Sequence, residues 1–281
     1  MDYDGFLNMG ESVQLLNKVA LVTGASAGIG RAYCEFLAAR GAIIVAVARR
    51  ADRLLELQVA LANRYQTRVL AIPCDLSDSN ACSVIRAALD VAGLEIDVLV
   101  NNAGYGLPGK FLMSEWQSHR DFEQVMIGSV SQLCYEFLPS MIARRQGVII
   151  NVASIAGFLP GTSGHTAYAA VKAWLINFSE SLAFEYENDG VRVCAVCPGF
   201  TYSEFHDVTG TRNLVAALPA VMWMTAESVV EQSVDALSRG HIVFIPGLVN
   251  RMIVRAVRWM PRRLSYWLVR RESQRFRNLA K

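Results

Sequence analysis

The side chains in this sequence best suited to proton transfer are Tyr168 and Lys172, in the segment Tyr-Ala-Ala-Val-Lys. They are four residues apart, and on a helix that spacing places both side chains on one face. A free tyrosine has a pKa of about 10 and exchanges protons poorly at neutral pH. A neighbouring ammonium group stabilises the phenolate and brings that pKa towards the working range. The spacing therefore predicts a general acid–base pair, with an ordinary surface Tyr–Lys pair as the alternative.

A glycine-containing segment follows the first apolar run, Val19–Thr23, and precedes a stretch of helical periodicity. It reads Gly-Ala-Ser-Ala-Gly-Ile-Gly, which is a GxxxGxG spacing. Glycines at a strand-to-helix turn let the backbone approach a pyrophosphate, and the N-terminus of the following helix favours the negative charge. The segment therefore predicts a dinucleotide site, with a plain turn as the alternative. Its expected cofactor-binding residues are Gly24, Ser26, Ala27, Gly28, Ile29 and Gly30.

The end of the second predicted strand indicates which dinucleotide binds. An acidic residue there hydrogen-bonds a ribose 2′-hydroxyl, whereas a basic residue accommodates a 2′-phosphate. Ala48 stands at the acidic position and is followed by Arg49 and Arg50. Because a guanidinium group matches phosphate geometry, we expect NADP(H), with Arg49 and Arg50 in the site. A solvated arginine pair that opens a helix is the alternative.

Apolar runs alternate along the whole chain with longer segments of helical periodicity. Runs nearly continuous in Val, Ile and Leu are typical of parallel strands covered on both faces. Their alternation with helices predicts a single-domain α/β fold, a Rossmann-like doubly wound parallel sheet of about seven strands with helices on both faces. The predicted strands are Val19–Thr23, Ala42–Ala48, Arg68–Pro73, Val98–Asn101, Val148–Val152, Val191–Val196 and Ile242–Ile245. The predicted helices are Gly30–Arg40, Ala51–Tyr65, Ser79–Ala92, Phe122–Arg145 and Ala167–Asn188.

From Lys18 to Gly247 the chain resembles the short-chain dehydrogenase/reductase family, in particular its NADP-preferring bacterial-type members. Five signatures occur in the family's order, namely the GxxxGxG segment, Asp75 after the third strand, Asn101-Asn102-Ala103-Gly104 after the fourth, Ser154 with Tyr168 and Lys172, and Pro198-Gly199. The resemblance implies further cofactor contacts from Asp75, Leu76, Asn102, Ala103, Gly104, Tyr168, Lys172, Pro198, Gly199 and Thr201.

The reaction that the resemblance implies is hydride transfer between NADP(H) and a ketone or secondary alcohol. Tyr168 is then the general acid/base, Lys172 lowers its pKa and holds the nicotinamide ribose, and Ser154 orients the carbonyl by a hydrogen bond. Ser154 precedes Tyr168 by fourteen residues, where thirteen is usual in the family. Ser163 lies in the intervening loop, but its position is less like that of the family's serine.

One position departs from the family pattern. Counting back from Leu138-Pro139, Met126 stands where the family usually has an asparagine that supports a proton-relay water near the lysine. A thioether accepts hydrogen bonds weakly and donates none. Three alternatives stay open: a relay through backbone and water alone, a relay through Ser129, or impaired catalysis. The leading hypothesis is a working enzyme, and its rival is a non-catalytic NADPH-binding sensor or scaffold.

The segment 200–225 corresponds to the part of the family that covers the substrate, and it is rich in apolar and methionine residues. Such side chains predict an accommodating hydrophobic pocket, in which we place Tyr105, Tyr202 and Phe205 beside Ser154. Simple packing of the segment onto the body explains the same composition equally well. The expected substrate is a lipophilic ketone or alcohol, such as a ketoacyl, steroid-like or terpenoid compound.

Composition excludes several classes of protein. The 281 residues are 53% hydrophobic and 19% charged, which excludes a disordered chain. Neither the six cysteines nor the four histidines have metal-site spacing, so we expect no metal. The chain also lacks a signal-peptide pattern at its start and an apolar run long enough to span a bilayer. We therefore expect a cytoplasmic protein.

Charge is distributed unevenly along the chain. Residues 251–281 carry ten basic side chains and one acidic, whereas the preceding residues carry 17 basic and 24 acidic. We expect an N-terminal extension at 1–17, a Rossmann-fold domain at 18–247 and a basic amphipathic helical tail at 248–281. The tail fits peripheral binding to an anionic membrane surface, and it fits packing on the domain or a second subunit equally well. Nucleic acid is not expected, because no recognised binding module accompanies the charge. The family resemblance implies a homodimer or homotetramer.

Overall fold

Seven parallel strands form the main sheet, as the sequence predicted. The computed structural model describes residues 15–164, 166–204 and 219–277, with side chains up to Arg271. In chain order the strands are β1 (Val19–Thr23), β2 (Ile43–Ala48), β3 (Val69–Pro73), β4 (Val98–Asn101), β5 (Gly147–Val152), β6 (Val191–Val196), β7 (Phe200–Thr201), β8 (Trp223–Met224) and β9 (Val243–Phe244). The order in the main sheet is β3-β2-β1-β4-β5-β6-β9, and β7 pairs with β8 in a separate short sheet.

Helices cover both faces of the sheet. They are α1 (Gly28–Ala38), α2 (Ala51–Tyr65), α3 (Ala81–Ala92), α4 (Trp116–Glu123), α5 (Ser129–Ala143), α6 (Thr166–Tyr186), α7 (Ala226–Ser238), α8 (Leu248–Trp259) and α9 (Arg262–Arg277). One core lies between the sheet and helices α1, α2 and α7. A second core lies between the sheet and helices α3, α5 and α6. The doubly wound α/β fold predicted from the alternation of apolar runs and helical segments is confirmed.

The central strands form readily because their residues are apolar on both sides. Every residue of β1, β4 and β5 is buried, and both cores take side chains from these strands. Burial on both faces makes period-2 alternation unnecessary, which is why the sequence showed nearly continuous apolar runs. The strand bounds therefore follow the sequence prediction to within a residue at each end.

The helix predicted at Phe122–Arg145 is wrong as a single element. The structure divides it into α4, which begins earlier at Trp116, a π-helical turn at Gln124–Gly128, and α5. In the turn, the side chain of Gln124 lies over Gly128, where a Cβ atom would collide with its amide. The hydroxyl of Ser129 donates to the carbonyl of Val125 at 2.8 Å. Side-chain packing of this kind is tertiary, so helical periodicity alone did not reveal the turn.

A chain of buried polar side chains ties α6 to the sheet. Asn101 at the end of β4 donates to the Oδ1 atom of Asn151 in β5 at 2.9 Å. Asn151 in turn donates to the hydroxyl of Ser179 in α6 at 2.9 Å, and Ser179 donates to the carbonyl of Leu175 at 2.6 Å. Because unpaired buried polar groups are costly, these bonds define the position of α6 against the carboxyl ends of β4 and β5.

The C-terminal helix α8 has apolar side chains on two sides, not on the single face that the sequence predicted. One side packs on the body through Val254, which is 2% exposed and lies beside the equally buried polar side chain of Asn250. Met252 and Trp259, which are 51% and 89% exposed, point away from it. None of the described helices is long and apolar enough to cross a membrane. Residues 1–14 of the expected N-terminal extension and 278–281 of the expected tail lie outside the described residues.

Candidate active site

The carboxyl ends of the central strands border a cleft at the point where the strand order reverses. β1 pairs with β2 on one side and with β4 on the other, and α/β sheets bind ligands beyond such a point. The cleft holds a cavity of about 900 Å³, within the range of small-molecule sites. The residues expected from sequence that line it are Gly24, Ser26, Ala27, Gly28, Ile29, Arg49, Arg50, Asp75, Leu76, Asn102, Ala103, Gly104, Tyr105, Ser154, Tyr168, Lys172, Pro198, Gly199 and Thr201.

The loop between β1 and α1 requires glycine at two positions. Gly24 has a φ of 65°, in the left-handed region that other residues disfavour. A Cβ atom at Gly30 would overlap the carbonyl oxygen of Gly24 and the side-chain nitrogen of Asn102. Gly30 is not among the described residues that line the cavity, so its role here is to let α1 approach the loop.

Thr23, which the sequence analysis did not single out, joins the ends of β1 and β4. Its hydroxyl accepts hydrogen bonds from the backbone N–H groups of Asn102 at 2.9 Å and Ala103 at 3.0 Å. The side-chain amide of Asn102 donates back to the carbonyl of Thr23 at 2.9 Å. These bonds hold in one position the two segments, after β1 and after β4, that carry half of the expected cofactor contacts. Its hydroxyl group at the last position of β1 was the sequence signal that could have identified Thr23.

The basic residues after β2 lie in the cavity lining at the edge of the glycine loop. Arg50 donates to the hydroxyl of Ser26 at 3.1 Å, which places its guanidinium group beside the loop. Its other terminal nitrogen lies 2.9 Å from Glu204, and Arg53 lies 3.1 Å from the same carboxylate. Arg49 is exposed and also lines the cavity. Glu204 was not identified from sequence, because its partners are more than 150 residues away along the chain.

Ser154, Tyr168 and Lys172 meet in the same cavity. Tyr168 and Lys172 lie on one face of α6, and the Nζ atom of Lys172 is 5.7 Å from the centre of the Tyr168 ring. The side chain of Ser154 hydrogen-bonds Tyr168. The fourteen-residue separation therefore does not move Ser154 away from the phenol, whereas Ser163 does not line the cavity formed by the described residues. The three groups can together bind and protonate one carbonyl oxygen.

Burial dominates the titration of this site. It raises the pKa of Tyr168 to about 12, and the hydrogen bond from Ser154 opposes that rise. Burial also lowers the pKa of Lys172 to about 8. The sequence predicted a lowered pKa for Tyr168, and in this structure the direction is the opposite. The reason is that burial removes water from the phenolate, whereas the ammonium group of Lys172 donates to the carbonyl of Val152 at 2.7 Å.

Met126 is buried behind the site and does not line the described cavity. Its side chain is 2% exposed and packs with Phe122 and Val171. Its sulfur lies against Gly104, where a Cβ atom would be only 2.8 Å from it. Ser129 donates to a backbone carbonyl and, like Met126, is not among the described residues of the cavity lining. Neither side chain is therefore placed to carry a proton relay.

Apolar side chains form the wall of the cavity near the start of α8. Leu159 follows the short helix Ile155–Phe158, Met222 ends the short helix Ala220–Met222, and Ile253 comes from α8. Helix α8 contacts both short helices. Tyr105 completes this lining and stands edge-on to Phe122, with ring centres 5.5 Å apart. Ile253 was not expected at the site, because the sequence analysis assigned it to a separate tail.

One of the expected substrate residues, Tyr202, does not line the cavity formed by the described residues. It is 53% exposed and stacks on Trp223 with ring centres 4.9 Å apart. Phe205 lies outside the described residues, as does most of the 200–225 segment. Across the described residues no group of three or more His, Cys, Asp or Glu side chains is arranged to hold a metal ion.

The parallel sheet, the glycine loop and the cleft define an α/β protein of the dinucleotide-binding class. A family model described as short chain dehydrogenase matches residues 18–213. An uncharacterized oxidoreductase of Myxococcus xanthus is 34% identical over 223 residues, which cover 79% of this chain and 85% of that protein. The chain belongs to the short-chain dehydrogenase family of oxidoreductases.

Two further relatives share this family's core. Very-long-chain 3-oxoacyl-CoA reductase-B of Danio rerio is 37% identical over 197 residues, covering 69% of this chain and 62% of that protein. A short-chain dehydrogenase from Sphingobium yanoikuyae, solved in complex with NADPH, is 30% identical with a TM-score of 0.75. That comparison covers 85% of this chain and 91% of the other.

Proposed function

We propose that this protein is an NADPH-dependent reductase, reversibly a dehydrogenase, that acts on a lipophilic ketone or the corresponding secondary alcohol. The observation that carries the proposal is the meeting of Ser154, Tyr168 and Lys172 in a cavity that also contains the glycine loop. The similarity to a dehydrogenase solved with NADPH supports the cofactor, and the similarity to a 3-oxoacyl-CoA reductase supports the substrate class.

The cavity fits NADP(H) in shape and charge. Gly24 and Gly28 leave the cavity lining free of side chains where a pyrophosphate needs the backbone, and α1 begins at Gly28. Arg49 and Arg50 supply positive charge where a 2′-phosphate is expected, and no carboxylate follows β2 directly. Asp75 and Leu76 would flank the adenine, Asn102 to Gly104 the central part, and Pro198, Gly199 and Thr201 the nicotinamide.

The chain's own residues then move the proton. A bound reduced nicotinamide would supply the hydride that adds to the carbonyl carbon. Tyr168 donates its phenolic proton to the carbonyl oxygen, and Ser154 holds that oxygen by a hydrogen bond as negative charge develops. Lys172, held against the Val152 carbonyl, contributes positive charge beside the phenol and would bind the nicotinamide ribose. The high pKa of Tyr168 keeps the proton available for donation at neutral pH.

The apolar wall predicts how substrates are selected. We expect NADPH-dependent turnover, followed by the absorbance of the reduced nicotinamide, to have a higher kcat/KM for long-chain 3-oxoacyl thioesters and bulky apolar ketones than for short polar ketones. Ile253→Gln should reduce kcat/KM for the apolar ketones by about tenfold, since one apolar group in a hydrophobic pocket contributes roughly 1–3 kcal/mol to discrimination. The matched control is Met252→Gln, the neighbouring exposed residue that faces away from the cavity.

One outcome would contradict the proposed substrate class, and another would contradict the proposed catalytic activity. A preference for small polar ketones, or equal losses in both variants, would overturn the lipophilic substrate. Binding of NADPH without turnover of any carbonyl compound would favour the rival hypothesis of a non-catalytic sensor or scaffold, which the replacement of asparagine by Met126 motivates. Replacement of the family's asparagine by Met126 removes one relay contact, but Tyr168 and Ser154 still meet in the cavity.

We propose further that α8 and α9 rest on an anionic membrane surface, with the protein in the cytoplasm. Leu248, Met252 and Trp259 are exposed at helical spacing on α8, and Leu264 and Trp267 are exposed on α9. Between residues 248 and 271 there are seven arginines and no acidic residue. Exposed Trp and Leu side chains flanked by arginines suit the interface of an anionic bilayer. By family resemblance, we expect subunits to pair elsewhere, through α5 and α6.

Vesicle flotation tests the membrane proposal on the full chain. The wild type should float with vesicles that contain phosphatidylglycerol, and not with phosphatidylcholine alone, because the arginines need anionic lipid. The double variant Trp259→Ser, Trp267→Ser should float several-fold less. The control is Trp116→Ser, which removes an equally large ring that is 63% exposed on α4. Wild-type protein that never floats would overturn the membrane proposal, and concentration-dependent self-association lost in the double variant would identify a second subunit as the partner of this surface.

A further inference from the structure

Glu204 is held against the glycine loop by the backbone that precedes it. It lies three residues beyond Thr201, the last residue of the short strand β7. The intervening residue Ser203 approaches Gly28 so closely that a Cβ atom there would be 2.9 Å from that of Ser203. The carboxylate of Glu204 therefore reaches the edge of the cavity from the opposite side to Arg50, and it lines the cavity itself.

The two oxygens of this carboxylate are bound by two different arginines. Oε2 lies 2.9 Å from Nη1 of Arg50, and Oε1 lies 3.1 Å from Nη1 of Arg53. The second terminal nitrogen of Arg50 donates to the hydroxyl of Ser26 at 3.1 Å. Arg50 thus has one nitrogen on the glycine loop and one on an anion. The arginines hold the pKa of Glu204 below its usual range, so the carboxylate is charged at neutral pH.

An arginine that binds the glycine loop with one nitrogen and an anion with the other is the arrangement that a 2′-phosphate needs. A guanidinium group binds carboxylate and phosphate oxygens with the same forked geometry. In dinucleotide sites of this topology, the group that recognises the 2′ position follows the second strand, which is where Arg50 lies. The carboxylate of Glu204 and an adenosine 2′-phosphate would therefore bind the same nitrogen of Arg50.

We propose that Glu204 competes with the 2′-phosphate of NADP(H) for Arg50 and thereby limits the preference of this protein for NADP(H) over NAD(H). The inference rests on the proposed cofactor. NAD(H) lacks the 2′-phosphate and does not need Arg50, so the competition affects NADP(H) alone. Arg53 would keep Glu204 paired after displacement, which keeps the cost of the exchange small. The side chains of Arg50 and Glu204 are 44% and 39% exposed, so neither is locked in place by burial.

Binding of nucleotide fragments tests the proposal without turnover. Isothermal titration with 2′,5′-ADP and with 5′-AMP separates the contribution of the 2′-phosphate, and NADP⁺ and NAD⁺ extend the comparison to whole cofactors. We expect Glu204→Gln to bind 2′,5′-ADP and NADP⁺ about twofold to fivefold more tightly than the wild type, the range for a part-exposed ion pair, with 5′-AMP and NAD⁺ unchanged. Glu204→Asp, too short to bridge both arginines, should change affinity in the same direction.

The matched control is Glu35→Gln. A second, smaller cavity lies beside the glycine loop, and both Glu35 and Glu204 border it. Glu35 pairs with Arg31 at 3.0 Å, so this variant removes the same charge without touching Arg50. Its affinities for all four nucleotides should equal those of the wild type. Equal tightening in both variants would reveal a general charge effect and overturn the inference.

The outcomes for the inference and for the cofactor are distinguishable. A wild type that binds 2′,5′-ADP more tightly than 5′-AMP, with Glu204 variants that leave the ratio unchanged or lower it, overturns the competition alone. A wild type with no preference for the 2′-phosphate overturns the proposed cofactor and the competition together. A thermal unfolding midpoint equal to that of the wild type would show that each variant is folded.

Discussion

Tyr168→Phe is expected to lower kcat for carbonyl reduction by about 10²- to 10⁴-fold, the range for a general acid. The substitution removes the phenolic oxygen that hydrogen-bonds Ser154 and leaves the ring, which fills the same space beside Lys172. NADPH binding, measured by fluorescence titration, should change little. The matched control is Tyr105→Phe, which removes a phenolic oxygen from the wall of the same cavity. Undiminished turnover in Tyr168→Phe would disprove the acid role of this residue.

The pH dependence of the two directions supplies an independent check of the same assignment. Burial raises the pKa of Tyr168 to about 12, so the protonated form persists through neutral and moderately alkaline pH. Carbonyl reduction uses that form, so loss of the phenolic proton should reduce it only as pH rises towards the pKa of the phenol, whereas an earlier decline near pH 8 would reflect loss of the Lys172 charge. Alcohol oxidation uses the phenolate and should rise with pH over the same interval. A pH profile of identical direction for both reactions would contradict proton transfer by Tyr168.

Arg49→Ala is expected to weaken NADPH binding by about ten- to hundredfold, which is the effect of losing a charge-assisted hydrogen bond. NADH binding should change far less, because NADH has no 2′-phosphate for the guanidinium group to bind. Arg49 lines the cavity directly after β2, beside Arg50. Dissociation constants for both cofactors, from fluorescence titration, measure the difference.

Arg64→Ala is the control for Arg49→Ala, since it removes an exposed arginine at the far end of α2, where Arg64 lies against Tyr65. Its affinities for the two cofactors should match those of the wild type. Equal losses of NADPH and NADH affinity in Arg49→Ala would remove the argument for 2′-phosphate recognition by this residue. A loss confined to an Arg50 variant would leave Arg50, which already bonds Ser26, as the residue that recognises the 2′-phosphate without Arg49.

Local sequence signals were sufficient for the sheet. The strand β1 has five apolar or small residues in a row before a glycine loop, and both its position and its place in a parallel sheet follow from that pattern and the α/β alternation. The same holds for the pairing of Tyr168 with Lys172 on one face, because a spacing of four residues on a helix needs no tertiary information. Family membership likewise followed from the order of motifs along the chain.

Other features depended on contacts between distant segments. The division of the predicted helix Phe122–Arg145 arises where Gln124 packs over Gly128. The apolar periodicity of this segment is typical of one continuous helix, so it did not indicate the division. The separate tail predicted at 248–281 proved to contribute Ile253 to the cavity, because α8 folds back against the short helices at its mouth. The ion pairs of Glu204 could not be predicted from the sequence, because only the fold brings this residue to Arg50 and Arg53.

The sequence by itself determined the strands and the glycine loop and predicted the pairing of Tyr168 with Lys172, since each depends on neighbours within a few residues. The tertiary structure alone decided the direction of the Tyr168 pKa and the ionic partner of Arg50. Both are electrostatic quantities that depend on how much water and which charges surround a group. Those surroundings come from segments far apart in the chain, so they exist only after the protein has folded.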